Sequence, residues 1–233
     1  LSYERRVARD YDASLFVSAP EADLFRQLAP ESDARIGFFS NGVDTEYFSP
    51  DAAGSSPFET GERAIVFTGA MDYWPNVDAV QWFAAEAMPL LRARFPDLRF
   101  YIVGARPAQA VLELAKQPNI VVTGTVPDVR PYIKHAQAAV APLRIARGIQ
   151  NKVLEAMAMA TPVVVTPQAL EGIEAEPGHE LVLAQDAAGF ADAVAALLAR
   201  DGNDMGLAAR ARVERKYSWP SNLACIGERL ECS

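Results

Sequence analysis

Cysteine and histidine are scarce in this sequence, two of each among 233 residues. Cys225 and Cys232 form no CxxC pair, and His135 and His179 stand far from both. A disulfide scaffold needs a denser cysteine set and is excluded, and no Cys/His cluster with metal-ligand spacing is present. The thiols are expected to be free, in a reducing compartment. Long apolar runs are also missing. None approaches the roughly 18 residues of a membrane span, and no secretory leader is expected. Positive charge is in deficit: 22 Lys and Arg face 30 Asp and Glu, a net of −8. Such a balance argues against nucleic acid as a partner. A dinucleotide fingerprint is absent too, because Gly69-Ala-Met-Asp-Tyr-Trp stands where GxGxxG would follow the first strong strand. That argues against a dehydrogenase.

Half of the chain is apolar, enough for one large domain or one plus a piece. From Arg63 onward, short β-branched runs alternate with helical patterns. Strands are predicted at 64–69, 98–104, 119–124, 138–143, 162–166 and 181–184. Helices are predicted at 76–94, 107–117, 129–135, 150–159 and 187–200. This alternation predicts a doubly wound, mostly parallel α/β sheet, whose ligands bind at the carboxyl edge. The first fifty residues read as helix (1–12), strand (14–18), helix (21–28) and strand (36–39). A polar Gly/Ser/Pro-rich stretch follows, as a linker should. The expected units are residues 1–48, a linker at 49–62, a domain at 63–218 and a C-terminal helix at 219–233.

Charge is uneven. Between Val129 and Leu170, Glu155 is the only acid against Arg130, Lys134, Arg144, Arg147 and Lys152. A basic island in an acidic chain predicts a local small-anion site. Within it, Gly148 allows a sharp turn and a helix starts a few residues later. Its first N–H groups and the positive end of its dipole face an anion there. Lys152 and Glu155 share a face. A carboxylate beside an anion hole suits neutral hydroxyls, such as those of a ribose. The plainer alternative is a Glu/Lys surface pair on an ordinary crossover helix.

Several ordered segments together resemble the C-terminal half of GT-B glycosyltransferases, the retaining family 4 group. Asn41-Gly42-Val43-Asp44-Thr45-Glu46-Tyr47-Phe48 resembles the interdomain hinge; Phe67-Thr68-Gly69 and Ile102-Val103-Gly104 resemble the first two strands of the donor domain. Val121 to Val126 is similar to the strand and loop that meet the nucleotide base. Lys152-Val-Leu-Glu155-Ala-Met-Ala and Thr161-Pro162-Val-Val are similar to the donor helix and the strand after it. A weaker resemblance is to sugar transferases of exopolysaccharide and exosortase systems.

The resemblance implies a Rossmann-like GT-B donor domain (Rossmann-like sheet, α/β) carrying a remnant of the acceptor domain. It implies retaining transfer of a hexose-type sugar from a UDP- or GDP-linked donor to a hydroxyl acceptor, carbohydrate or lipid-linked, in polysaccharide or glycoconjugate synthesis. No cofactor or metal is implied. Donor contacts are expected at Gly69, Gly124, Val126, Gly148, Gln150, Asn151 and Glu155, with Glu155 on the ribose. Two departures stand out. Arg147 replaces a family Glu near the donor sugar, and the loop Ala70 to Asn76 lacks the family's diphosphate-binding Arg and Lys. Arg147 and Lys152, with Arg144, are expected to supply that charge from the other side of the crevice as catalytic cations. The chain begins at Leu1 and is short by most of a domain, so donor binding without turnover is expected. Location is expected to be cytoplasmic, with membrane contact of a full-length protein at the inner face left open. Alternatives are a nucleotide-sugar epimerase of the same fold and a non-catalytic interaction domain.

Four further residue groups remain. Asp10-Tyr11-Asp12 spells DxD but reads as a solvated turn. Tyr73 and Trp74 either line the acceptor side of the crevice or pack as core. Asp128 is expected to cap a helix, and His135 to serve a helix end. Gly172 is expected to serve backbone geometry.

Overall fold

The computed structural model describes residues 1–146, 148–199 and 202–223. Cys225, Cys232 and most of the expected C-terminal helix lie outside them.

The amino-terminal unit runs α1 (Ser2–Asp10), β1 (Ser14–Phe16), α2 (Ala19–Leu28) and β2 (Ile36–Phe38). The two strands pair in parallel, Ser14 opposite Ile36. The Ser18 hydroxyl caps α2 by accepting from the Glu21 N–H at 3.4 Å, and Pro20 sits in the first turn, where its missing N–H costs nothing. A small core of Ala22, Ala29 and Ile36 is covered by Phe16 and Phe25.

The larger unit contains β3 (Ala64–Thr68), α3 (Trp74–Trp82), α4 (Met88–Arg94), β4 (Arg99–Val103), α5 (Gln109–Leu112), β5 (Ile120–Gly124) and α6 (Arg130–His135). It continues with β6 (Ala138–Ala141), α7 (Asn151–Ala158), β7 (Val163–Val165), α8 (Pro167–Leu170), β8 (Val182–Leu183), α9 (Ala187–Leu198) and α10 (Asp204–Lys216). Six parallel strands stand in the order β5-β4-β3-β6-β7-β8. Every β3 residue is buried, as expected of a strand covered on both faces. Phe83 fills the interior between sheet and helices, 4.8 Å from Phe100 and 5.8 Å from Phe190 between ring centroids. The doubly wound prediction holds. The strand order reverses between β3 and β6, which opens a crevice at their carboxyl ends.

Two predicted helices are broken. The run 76–94 becomes α3 and α4 with a π-helical turn, Phe83–Ala87, between them. Pro89 has no N–H and its ring excludes the carbonyl a turn earlier, so the winding loosens there. The run 107–117 is α5 followed by a 3-10 turn, Glu113–Lys116. The cap residue of α6 is Val129, with no side-chain cap hydrogen bond; Asp128, one residue earlier, accepts from the Arg130 N–H at 2.9 Å, so the expectation that Asp128 caps is corrected. His135 faces the Gly54 carbonyl at 3.0 Å. Asp10 of the DxD triplet pairs with Arg9. No helix among the described residues is long and apolar enough to cross a membrane.

The segment that joins the units lies beside the stretch after α10. The Val43 N–H donates to the Tyr217 carbonyl at 2.7 Å, and Asn222 donates to the Asn41 carbonyl at 3.1 Å. Two arginines grip the segment that follows. Arg210 donates to the carbonyls of Phe48 (3.1 Å) and Ala158 (2.5 Å). Arg130 donates to the Tyr47 carbonyl at 3.0 Å and lies 3.9 Å above its ring.

At the carboxyl edge, β3 and β4 end in glycines whose backbones touch. A Cβ on Gly104 would overlap the Gly69 carbonyl oxygen. Gly104→Ala is therefore expected to destabilise the fold by about 1–3 kcal/mol through overpacking. A urea titration should give a lower midpoint with an unchanged slope.

Candidate functional site

The crevice is built first from the turn after β3. Gly69 has φ +152°, which L side chains rarely adopt, and its N–H donates to the Val103 carbonyl at 3.1 Å. A Cβ here would stand 2.7 Å from Asn76 Nδ2 and 3.3 Å from Lys152 Nζ. The loop beyond is fixed on both sides. The Met71 N–H donates to the Ala105 carbonyl at 2.8 Å, and the Met71 carbonyl accepts from the Ala108 N–H at 3.0 Å. Asn76 is buried at the start of α3, and its Nδ2 donates to the Ala70 carbonyl at 2.8 Å.

Lys152 enters from the opposite side. Val153, Leu154, Ala156 and Met157 bury α7 against the sheet, which carries Lys152 and Glu155 into the crevice. The Lys152 ammonium donates to Asn76 Oδ1 and stands 4.4 Å from the Phe67 ring centroid, a cation–π contact. Among the described residues Asn76 is its one hydrogen-bond acceptor, which leaves two N–H donors. Burial lowers the Lys152 pKa to about 8, and the Glu155 carboxylate opposes that shift. Burial raises the Glu155 pKa, opposed by the Lys152 charge. The two are therefore not an exposed surface pair on an ordinary helix.

The other expected contacts scatter along the same edge. Gly148 turns at φ +66°, and its carbonyl accepts from Gln150 Nε2 at 3.1 Å. Asn151 Oδ1 accepts from Asn41 Nδ2 at 3.4 Å, which ties α7 to the crossing segment. Gly124 ends β5 at φ +68°, and its carbonyl accepts from the Gly104 N–H at 3.2 Å. Val126 packs half-buried on the core. Gly172 also has positive φ, +80°, beside Ile149. Arg147 lies outside the described residues.

The basic island is not one patch. Arg130 serves the crossing segment, and Lys134, at the end of α6, lines a hollow with Pro162 and Asn203. Arg144 is engaged by Asp78, Nε to Oδ2 at 3.0 Å. The expectation that Arg144 offers free charge is corrected: its guanidinium neutralises a neighbouring acid.

Several residues went unnoticed in the sequence. Asn76 is one, and its signal was a polar residue in a stripe otherwise facing the core. Arg106, from the loop after β4, pairs with Asp72 in the base-free loop, Nε to Oδ2 at 2.5 Å. Glu21 of the amino-terminal unit approaches Gly148, its Oε1 3.9 Å from where a Cβ would stand.

Residues 62–200 match the family described as glycosyl transferases group 1. A search of curated proteins gave no match. Sucrose-phosphate synthase of Thermosynechococcus elongatus superposes with a TM-score of 0.76 at 20% identity, over 98% of this chain and 60% of that one. A glycosyltransferase of Rickettsia africae gives 0.73 at 18% identity, over 93% and 62%. Anabaena HepE, crystallised with UDP and glucose, gives 0.74 at 14% identity, over 94% and 63%. These likenesses are of fold, the GT-B arrangement. The chain spans about 60% of the length of these three structures.

The Lys152 environment predicts its titration. NMR of the reductively 13C-methylated protein should place the Lys152 midpoint near about 8. Glu155→Gln should lower it further by removing the opposing charge. A Lys152 midpoint in the ordinary lysine range would contradict the burial described.

Proposed function

The chain belongs to the group 1 glycosyltransferases, and from that premise we propose that it binds a nucleotide-sugar donor in the crevice between β3 and β6. The observation that carries this reading is the Lys152 ammonium held against Gly69. The loop after β3 has no Lys or Arg of its own, and α7 brings a cation to that loop from across the crevice. HepE, which has the same fold, was crystallised with UDP-glucose and with UDP, and this supports a nucleotide donor.

In this reading the donor diphosphate lies against Gly69 and Lys152, with the helix α7 N–H groups beyond. Glu155, a turn further on, accepts from the ribose hydroxyls. During transfer the bond from the anomeric carbon to the phosphate oxygen breaks, an acceptor hydroxyl oxygen bonds to that carbon, and the hydroxyl proton leaves to the departing diphosphate. Negative charge then collects on the departing diphosphate. Lys152, already oriented by Asn76 and Phe67, stabilises that charge without reorganising. Preorganised donors of this kind typically contribute about 3 kcal/mol each. Arg147 is proposed as the second cation. The leaving group needs no metal when it is stabilised this way. The stereochemical outcome is proposed to be retention, and the product a polysaccharide or glycoconjugate made at the cytoplasmic face of a membrane. The chain spans about 60% of the length of the three superposed structures, and in this reading it binds donor without turnover.

Calorimetric titration with UDP, GDP and ADP tests the reading. One nucleotide should bind selectively, and Glu155→Ala should weaken or abolish its binding. Lys152→Ala should weaken binding by about 10- to 100-fold, the scale of a hydrogen bond to a charged group. Binding requires protonated Lys152, so affinity should be level well below pH 8 and fall as pH rises through about 8. Unchanged affinity in Lys152→Ala, or affinity rising with pH, would overturn the assignment.

A further inference from the structure

Beside Lys152, the same loop carries an aromatic pair that the donor reading leaves unused. Tyr73 is 59% exposed and Trp74 57% exposed, although the backbone that bears them is rigid. The Tyr73 carbonyl accepts from the N–H groups of Asn76 (2.9 Å) and Val77 (3.1 Å), and Pro75 is buried directly behind. The alternative that these rings pack as core is therefore excluded.

Their surroundings specify a chemistry. Asp72 precedes Tyr73 and pairs with Arg106. Asp78 follows Trp74 by four residues, on the same face of α3, and pairs with Arg144. Arg106 comes from the loop after β4 and Arg144 from the loop after β6, so the two ion pairs flank the rings across the mouth of the crevice. An apolar acyl chain would leave four charged side chains without a use. A polyanion would need unpaired cations, and both guanidinium groups are already paired. A sugar ring matches the pattern. Its C–H face stacks on an aromatic face, and each hydroxyl can both donate to a carboxylate and accept from a guanidinium.

We propose that Tyr73 and Trp74 form a platform for an uncharged pyranose ring of the acceptor, with the Asp72–Arg106 and Asp78–Arg144 pairs holding its hydroxyls. The proposal rests on the donor reading only for the word acceptor; the saccharide site itself stands on this geometry. Placed one loop away from Lys152, the ring brings its hydroxyls to the mouth of the donor crevice.

The test uses the chain labelled with 15N and observes the tryptophan indole N–H signals, with Trp74→Phe identifying the Trp74 resonance. Methyl glucosides, galactosides and mannosides are titrated to about 100 mM, the range of single-sugar affinities weaker than 1 mM, with and without UDP. At least one should shift the Trp74 signal saturably while Trp82, packed on Phe190, stays in place. Tyr73→Ala and Asp78→Asn should each weaken that binding about tenfold, about 1.4 kcal/mol, and Tyr73→Ala should leave UDP affinity within twofold. A Trp74 signal unmoved by every pyranoside would overturn the platform. A signal moved by UDP and by no sugar would also overturn it, and would make the rings a nucleobase shelf. If pyranosides shift Trp74 while no nucleotide binds, the platform stands and the donor reading fails.

Discussion

An ammonium group drawn out of water needs fixed partners, and the carboxyl edge of this sheet is arranged around meeting that need at Lys152. Gly69 makes room for it, because any side chain there would meet both Nζ and Asn76. Asn76 accepts one hydrogen bond, Phe67 offers a ring face, and Glu155 supplies an opposing charge at short range. These partners compensate only partly, since burial still holds the amine at about 8. Glu155 is the counter-charge, and the ammonium keeps N–H donors beyond the one that Asn76 takes. The tight backbone contact of Gly69 with Gly104 and the buried start of α3 both serve this one placement.

The arrangement is also an exchange of positions. The loop after β3 holds an acid, Asp72, and no base, while the helix after β6 holds the cation. Each acid that would repel a diphosphate at the rim is matched with an arginine from another loop. Arg106 covers Asp72 and Arg144 covers Asp78. Exposed pairs of this kind add little to stability. Their effect here is to match each of these acids with a cation from another loop.

Much of the fold was legible because it depends on local chemistry. β-branched runs of five residues and the spacing of apolar residues in α7 and α9 report strand and helix directly. Gly69 and Gly148 were legible because a turn with their backbone angles demands glycine. The π turn at Phe83 was not, since it is a compromise between a long apolar stripe and one proline within it. The site was legible only in part. Glu155 and Lys152 sit three apart on one helix, so the sequence brings them together. Asn76 and Lys152 meet across 76 residues, and Arg144 and Asp78 across 66, distances over which only the tertiary fold decides. The basic island misled for the same reason. Residues close along the chain were sent to the crossing segment, to a separate hollow and to the crevice.

The pairing of Val43 with Tyr217 carries a mechanical implication. Two stretches of chain lying side by side, hydrogen-bonded to each other, act as a strap with width. A strap bends readily about the line across it and resists twisting about its own length. The carbonyls beyond it are clamped by Arg130 and Arg210 to the larger unit. Because Asn41 also touches Asn151 at the head of α7, the strap and the helix that bears Lys152 share a residue contact. A change in the angle between the two units would then be felt at the head of α7, at the edge of the crevice.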